Sequence, residues 1–245
     1  AFLVKAFFIP ERKTIMPNHC SQHFSFTGSQ KDIQQLYCHI VNAEGERPVI
    51  DFNRITPMPE ALDIENTNQG QTALALLQAN PNQSVINTDL FPHAYQLIQV
   101  LSKYGFEWQS LTVGQAILVL ENESDLQQHF GLDFTLGRQY QQNLQQYGHF
   151  SWYHWRLEHW GTKWNAYHCE LEFSEDGTCL SGYLETAWSP AEPIYRKLAQ
   201  VYPSVSVEIE YMDEFAEFAG VYRSDGQGGL MDEEYTDEQI DALFS

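Results

Sequence analysis

Between Tyr167 and Tyr211 the chain reads as strand, tight turn, strand, helix, strand, and no other stretch restricts its fold so strongly. Residues 167–173 and 179–187 flank Asp176-Gly177, a pair that favours a two-residue hairpin turn. That register sets Phe173 opposite Leu180, Leu171 opposite Gly182, Cys169 opposite Leu184, and, on the polar face, His168 opposite Glu185 and Glu170 opposite Tyr183. Cys169, Leu171 and Phe173 then face the core. Ser189-Pro190-Ala191-Glu192 follows as a helix start with Ser189 as N-cap and Pro at the first helical position, and Ile194, Leu198, Val201 and Tyr202 form its apolar stripe. Val205, Val207, Ile209 and Tyr211 alternate with Ser206, Glu208 and Glu210, a strand with one wet, acidic side.

The complement lies far upstream. Residues 20–27 alternate with Phe24 and Phe26 on one face, Gly28 ends the run, and Ser29 with Asp32 opens a helix carrying Ile33, Leu36, Tyr37, Ile40 and Val41. Strand, helix, a long insert, strand, strand, helix, strand is the order of a split βαβ, ferredoxin-like sandwich, so the fold class expected is α+β with a long, mainly helical insertion. Helices are expected at residues 72–78, 91–104, 112–120 and 137–147. The expected divisions are an extension over 1–15, the first strand and helix with the start of the insert over 16–65, the helical insertion over 66–147, the second half of the sandwich over 148–225, and an acidic tail over 226–245. Residues 1–15 read as an extension upstream of a natural start at Met16, or else as an extra edge strand.

Charge excludes more than size does. The 245 residues hold 33 acids against 13 Lys and Arg, a net charge of -20 that repels a phosphate backbone, so direct nucleic-acid binding is not expected. Residues 200–245 alone carry 12 acids and one base, Arg223. A helix-turn-helix over residues 91–120 would have Lys103 as its single cation for a phosphate. No run is long enough and apolar enough to cross a bilayer, and residues 1–9 lack a following cleavage site, so a membrane association is not expected either. Cys20, Cys38, Cys169 and Cys179 form no CxxC pair and suit neither zinc nor an iron–sulfur cluster. All four read as reduced thiols, which points to a cytoplasmic chain, and neither a cofactor nor a metal is expected.

Four stretches carry a resemblance. They are Met16-Pro17-Asn18-His19-Cys20, residues 51–60 (DFNRITPMPE), residues 152–167 with WYHW and WGTKWNAY, and residues 185–190 (ETAWSP) with Tyr211 and Phe218-Ala219-Gly220 beyond. Together they resemble the Api92-like or YubB-like family of phage, plasmid and prophage proteins, over residues 16–65 and 148–223. The resemblance implies a ferredoxin-like fold and a mobile-element origin, and it implies no reaction.

Three clusters are candidates for chemistry. Trp160, Lys163, Trp164 and Trp188 place a lysine among indoles, a group that can hold a flat or anionic ligand. The plainer reading is that the tryptophans close the sandwich while the lysine stem lies along a ring and its ammonium reaches a carboxylate. His168 and Glu185, with Glu170 and Glu172 alongside, form either an acid–base or cation-binding group or a solvated sheet face. His154, Glu158 and His159 miss both zinc-hydrolase spacings. In the tail, Thr236 and Gln239 form a capping-box signal ahead of Ile240, Leu243 and Phe244, and Gln239, Leu243 and Phe244 are similar in pattern to peptides that grip the bacterial sliding clamp. The function expected is a non-catalytic, acidic interaction protein that occupies a basic, nucleic-acid-holding surface of a host protein. The alternative is an enzyme or small-ligand binder using the Trp/Lys cluster with His168 and Glu185.

Overall fold

The computed structural model describes residues 18–45, 47–85, 94–105, 107 and 110–242, so the extension over 1–15, its junction at Met16, and Leu243 and Phe244 lie outside the described residues. The chain divides into two compact units, one made of residues 1–57 and 156–245 and the other of Met58–Trp155. The second unit is therefore wider at both ends than the insertion read from the sequence.

The first unit opens with β1 (His19–Thr27), whose buried positions are Cys20, Gln22, Phe24 and Phe26. Helix α1 (Gln30–Ile40) begins where the Ser29 side chain accepts the Asp32 amide, and it buries Ile33, Leu36 and Ile40. A short ribbon of β2 (Val41–Asn42) and β3 (Val49–Ile50) leads to α2 (Phe52–Ile55), capped by Asp51.

The second unit is helical: α3 (Asn68–Gln78), α4 (Ala94–Leu101), α5 (Val113–Leu120), α6 (Ser124–Phe130) and α7 (Phe134–Tyr147). Thr112 and Gln115 cap α5 reciprocally, and Leu76, Leu101, Val113, Leu120 and Phe134 share one apolar core. Helices α3 and α7 meet at glycines. A Cβ on Gly137 would lie 2.8 Å from that of Ala73, and one on Gly70 would lie 2.7 Å from the Tyr140 ring, so side chains there would force the helices apart. Helix α6 was not expected, because its LQQHF run offers few apolar positions.

Helix α8 (Trp152–Trp160) carries His154, Glu158 and His159 and precedes the return to the sheet. Strands β4 (Tyr167–Phe173) and β5 (Cys179–Ala187) form the hairpin, then come α9 (Glu192–Val201), β6 (Ser206–Asp213), β7 (Ala219–Ser224), β8 (Leu230–Glu234) and α10 (Asp237–Ala242). All six strands pair antiparallel in the order β4-β5-β1-β6-β7-β8. The first four give the strand arrangement of a ferredoxin-like α+β sandwich, and β7 and β8 extend it. The even-numbered side of β1 is the buried one, and Tyr195 of α9 bonds Gln22 there. Its odd-numbered side, with His19, Ser21, His23, Ser25 and Thr27, is the open face.

Several local expectations need correction. Phe173 pairs with Leu180 and Leu171 with Gly182 as the turn chemistry requires, but a bulge between Tyr167 and Glu170 makes Tyr167, and not His168, the partner of Glu185, and it takes Cys169 out of register with Leu184. Phe173 reaches the ring of Tyr37 at 5.1 Å yet stays 40% exposed. Helix α9 starts at Glu192 behind Ala191 with no side-chain cap, because the Ser189 hydroxyl instead donates to the Gly161 carbonyl at 2.6 Å. Tyr195 is buried on α9 where Val201 was expected, and Val201 is exposed. Finally, the acidic tail over 226–245 contains strand β8, paired along β7 from Leu230 to Glu234.

Candidate functional site

Two loops hold the tryptophan cluster. The Thr162 hydroxyl donates to the Ala187 carbonyl at 2.9 Å and accepts the Ala187 amide at 3.2 Å, while Ser189 ties back to Gly161. The Trp188 amide donates to Asn18 O at 2.9 Å, and Trp188 itself sits at φ 73°, a left-handed backbone that is rare for a bulky residue. Gly161, at φ 78°, has no room for a side chain, since a Cβ would come within 2.7 Å of Pro193.

This frame separates the four residues read together from the sequence. Trp160 belongs to the core: it is 2% exposed, its indole N–H donates to Thr56 O at 2.9 Å, and its ring meets Phe52 edge-on. Trp164 and Trp188 are 36% and 38% exposed. The Lys163 ammonium lies 4.8 Å from the Trp164 ring centre and 5.0 Å from that of Trp188. The cation therefore lies over two indoles, with no carboxylate partner among the described residues.

His168 and Glu185 do come together, by a route the register alone does not predict. In the bulge His168 takes φ 49°, and its Nδ1 reaches Glu185 Oε2 at 2.9 Å. His19 Nδ1 stands 3.2 Å from the same oxygen and 2.8 Å from the Tyr167 hydroxyl, which donates to Thr186 O at 3.1 Å. The Tyr183 hydroxyl donates to Glu185 Oε1 at 2.7 Å. Burial raises the Glu185 carboxyl, but the Tyr183 and His168 hydrogen bonds and the two imidazole charges outweigh it and hold the group below its ordinary range. Burial, reinforced by the Glu185 charge, pushes the Tyr167 phenol up to about 12.

Tyr167 also joins the two clusters. Its ring meets Trp164 edge-on at 6.3 Å and His19 edge-on at 5.7 Å. Lys163, Trp164, Tyr167, His19, Glu185 and His168 thus form one contact series, continued by Trp188 at its first end. Tyr167 and His19 were absent from the candidates, although His19 falls on the open-face parity of β1, a signal that the alternation of residues 20–27 contains.

The open face beyond this cluster is acidic. Glu170 and Glu172 stand opposite Tyr183 and Ser181, Glu208 and Glu210 opposite Arg223 and Val221, and Glu233 opposite Val221 from the other side. Arg223 is the one Lys or Arg that the six strands place on this face, and it is held by Glu208 and Glu233 at 2.8 Å each. Near β4, Arg47, Val49, His168, Cys169 and Glu170 line a hollow of about 420 Å³.

At the tail, Gln239 closes the capping box: its carboxamide oxygen accepts the Thr236 amide at 2.8 Å and its amide donates to Thr236 Oγ1 at 3.4 Å. Among the described residues no helix is long and apolar enough to cross a membrane.

No curated protein matches the chain. A crystal structure of a protein api92 from Yersinia pseudotuberculosis is similar at 9% identity with a TM-score of 0.44, over 90% of this chain and 98% of that one. Residues 163–243 match the family model described as a ferredoxin-like domain in Api92-like protein. Lys163, both exposed indoles, the hairpin and the acidic strands all lie within the residues that match this ferredoxin-like domain model.

Proposed function

We propose that this protein is a non-catalytic interaction module of a mobile element that covers a basic, nucleic-acid-holding surface of a host protein. The observation that carries the reading is the open sheet face, where Glu170, Glu172, Glu185, Glu208, Glu210 and Glu233 stand in regular rows against one arginine already neutralised by two of them. Neighbouring strands lie about 4.8 Å apart, so these carboxylates form a fixed lattice of negative charge on a rigid support. Such a lattice raises the local concentration of cationic surfaces and speeds their encounter, and it repels phosphate. A domain that competes with nucleic acid for a basic host surface needs both properties.

The test is capture from a bacterial lysate at about 50 and about 500 mM salt, followed by displacement with duplex DNA. The reading expects basic, nucleic-acid-binding proteins that leave at high salt and are displaced by DNA, and it expects Glu170→Lys with Glu210→Lys to abolish their capture. Salt-insensitive capture of apolar partners would overturn it.

One observation favours a second reading, that of a small-ligand or acid–base site. His19 and His168 share Glu185 Oε2, and Tyr167 links them to the Lys163 cluster. A His168→Ala variant that loses capture of a small molecule while retaining its salt-sensitive partners would support it.

A further inference from the structure

Lys163 is oddly placed for a lysine in this chain. With 33 acids available, its ammonium lies over two indoles and makes no ion pair among the described residues. Both ring-centre distances, 4.8 and 5.0 Å, fall within the roughly 6 Å reach of a cation–π contact. The two rings are more than a third exposed, so their positions are not explained by core packing. They are held out by the frame: Thr162 to Ala187, Ser189 to Gly161, Trp188 to Asn18, and the left-handed backbone at Trp188. Backbone strain of this kind persists only where surrounding structure enforces it, and here what it enforces is the outward display of an indole.

We propose that Trp164 and Trp188 are a two-walled cage for a lysine side chain of the basic partner, and that Lys163 is the placeholder the partner's lysine displaces. The proposal rests on the acidic-module reading and names its anchor. Two preset indoles supply the desolvated aromatic contact that concentrates binding energy at protein interfaces, while the carboxylate rows supply steering. The resident ammonium shows that the space between the rings accepts this chemistry. Displacing it exchanges one cation–π pair for another and returns Lys163 to water, so the exchange costs little. An anionic aromatic ligand, the alternative occupant of such a cluster, would use Lys163 as its contact and would meet a repulsive field across the sheet.

The sign of one substitution separates these cases. A lysine octapeptide is titrated into the full chain at low salt with calorimetry and tryptophan fluorescence as readouts. Vacating the cage by Lys163→Met is expected to tighten binding at least threefold, beyond the change produced by Lys197→Met, which removes the same charge from helix α9. Trp164→Ala is expected to weaken binding by about threefold to tenfold, the size of one exposed cation–π contact or more. Trp188→Ala should act in the same direction, and should it fail to fold, the other two variants still decide. Weaker peptide binding in Lys163→Met, or unchanged binding in Trp164→Ala, overturns the cage and leaves the acidic module standing. Binding of AMP that is lost in Lys163→Met also overturns it. No peptide binding by the unaltered protein at low salt would instead remove the acidic-module reading itself.

Discussion

The hydroxyl of Tyr195 on α9 donates to the carboxamide oxygen of Gln22 at the centre of β1, and both side chains are almost wholly buried. Gln22 is anchored on its other side by Thr186, which accepts its amide at 2.7 Å. A buried amide inside a sandwich costs free energy unless each of its groups is bonded, and Tyr195 is what satisfies this oxygen. Tyr195→Phe leaves it unpaired in an otherwise unchanged cavity. The expected loss is about 1 to 3 kcal/mol in chemical denaturation. A variant as stable as the parent would mean that the oxygen finds another donor.

The three tryptophans of the cluster divide into one that folds the domain and two that decorate it. Trp160→Ala removes a ring that is 2% exposed and the donor to Thr56 O, so a loss of about 3 to 5 kcal/mol is expected. Trp164→Ala should cost well under half of that, because its ring is 36% exposed. Thermal melts of the two variants side by side check the division, and equal losses would refute it.

The same residues show what a sequence can and cannot disclose. Helix α1 was readable because its signals are local: Ser29 caps it and Ile33, Leu36 and Ile40 fall on one stripe. The start of α9 was not, because the hydroxyl that should cap it is spent on Gly161, 28 residues away. Nothing in WGTKW distinguishes the buried indole from the exposed one, since the distinction depends on Thr56, Phe52 and Trp188, which arrive from other parts of the chain. The pairing of Glu185 with His168 was found for an incomplete reason. Alternation predicted it, whereas the structure reaches it through a bulge that turns His168 back to the carboxylate and inserts Tyr167 beside His19. Strand β8 was hidden by its own composition: four of its five residues are exposed, and acidic side chains on an edge strand guard against pairing with other chains as much as they suggest solvent.

Acid should loosen the β4–β5 turn only below the ordinary carboxylate value. Asp176 accepts the Ser174 and Thr178 hydroxyls at 2.7 Å each and the Thr178 amide at 3.1 Å, and these bonds lower its carboxyl to about 2. A carboxyl lowered in the folded state contributes stability that is complete above its unfolded value of about 3.9 and is lost as pH falls through the folded one. The turn is therefore expected to loosen between about pH 4 and pH 2. An NMR titration should place the Asp176 midpoint near 2, and Ser174→Ala should move it upward. A midpoint at the ordinary carboxylate value would show that the three bonds do not persist in solution.

The described part of the tail, through Ala242, is built into the fold. The Tyr235 amide donates to Ala219 O at 2.9 Å, which carries the chain beyond β8 along β7, and Thr236 with Gln239 then caps α10. Six residues do not hold a helix in water by themselves, so α10 depends on docking its apolar side, and Ile240 is 7% exposed. Ile240→Ala is expected to cost about 2 to 5 kcal/mol, as for an aliphatic residue removed from a core. Gripping a sliding clamp through Gln239 would require that side chain to leave its cap on Thr236. A peptide of residues 231–245 avoids that cost, so clamp recognition through this segment predicts tighter binding of a purified clamp by the peptide than by the full chain. Equal, tight binding by both, with Ile240→Ala causing no loss of stability, would show that the tail is a free recognition segment and not part of the sheet's covering.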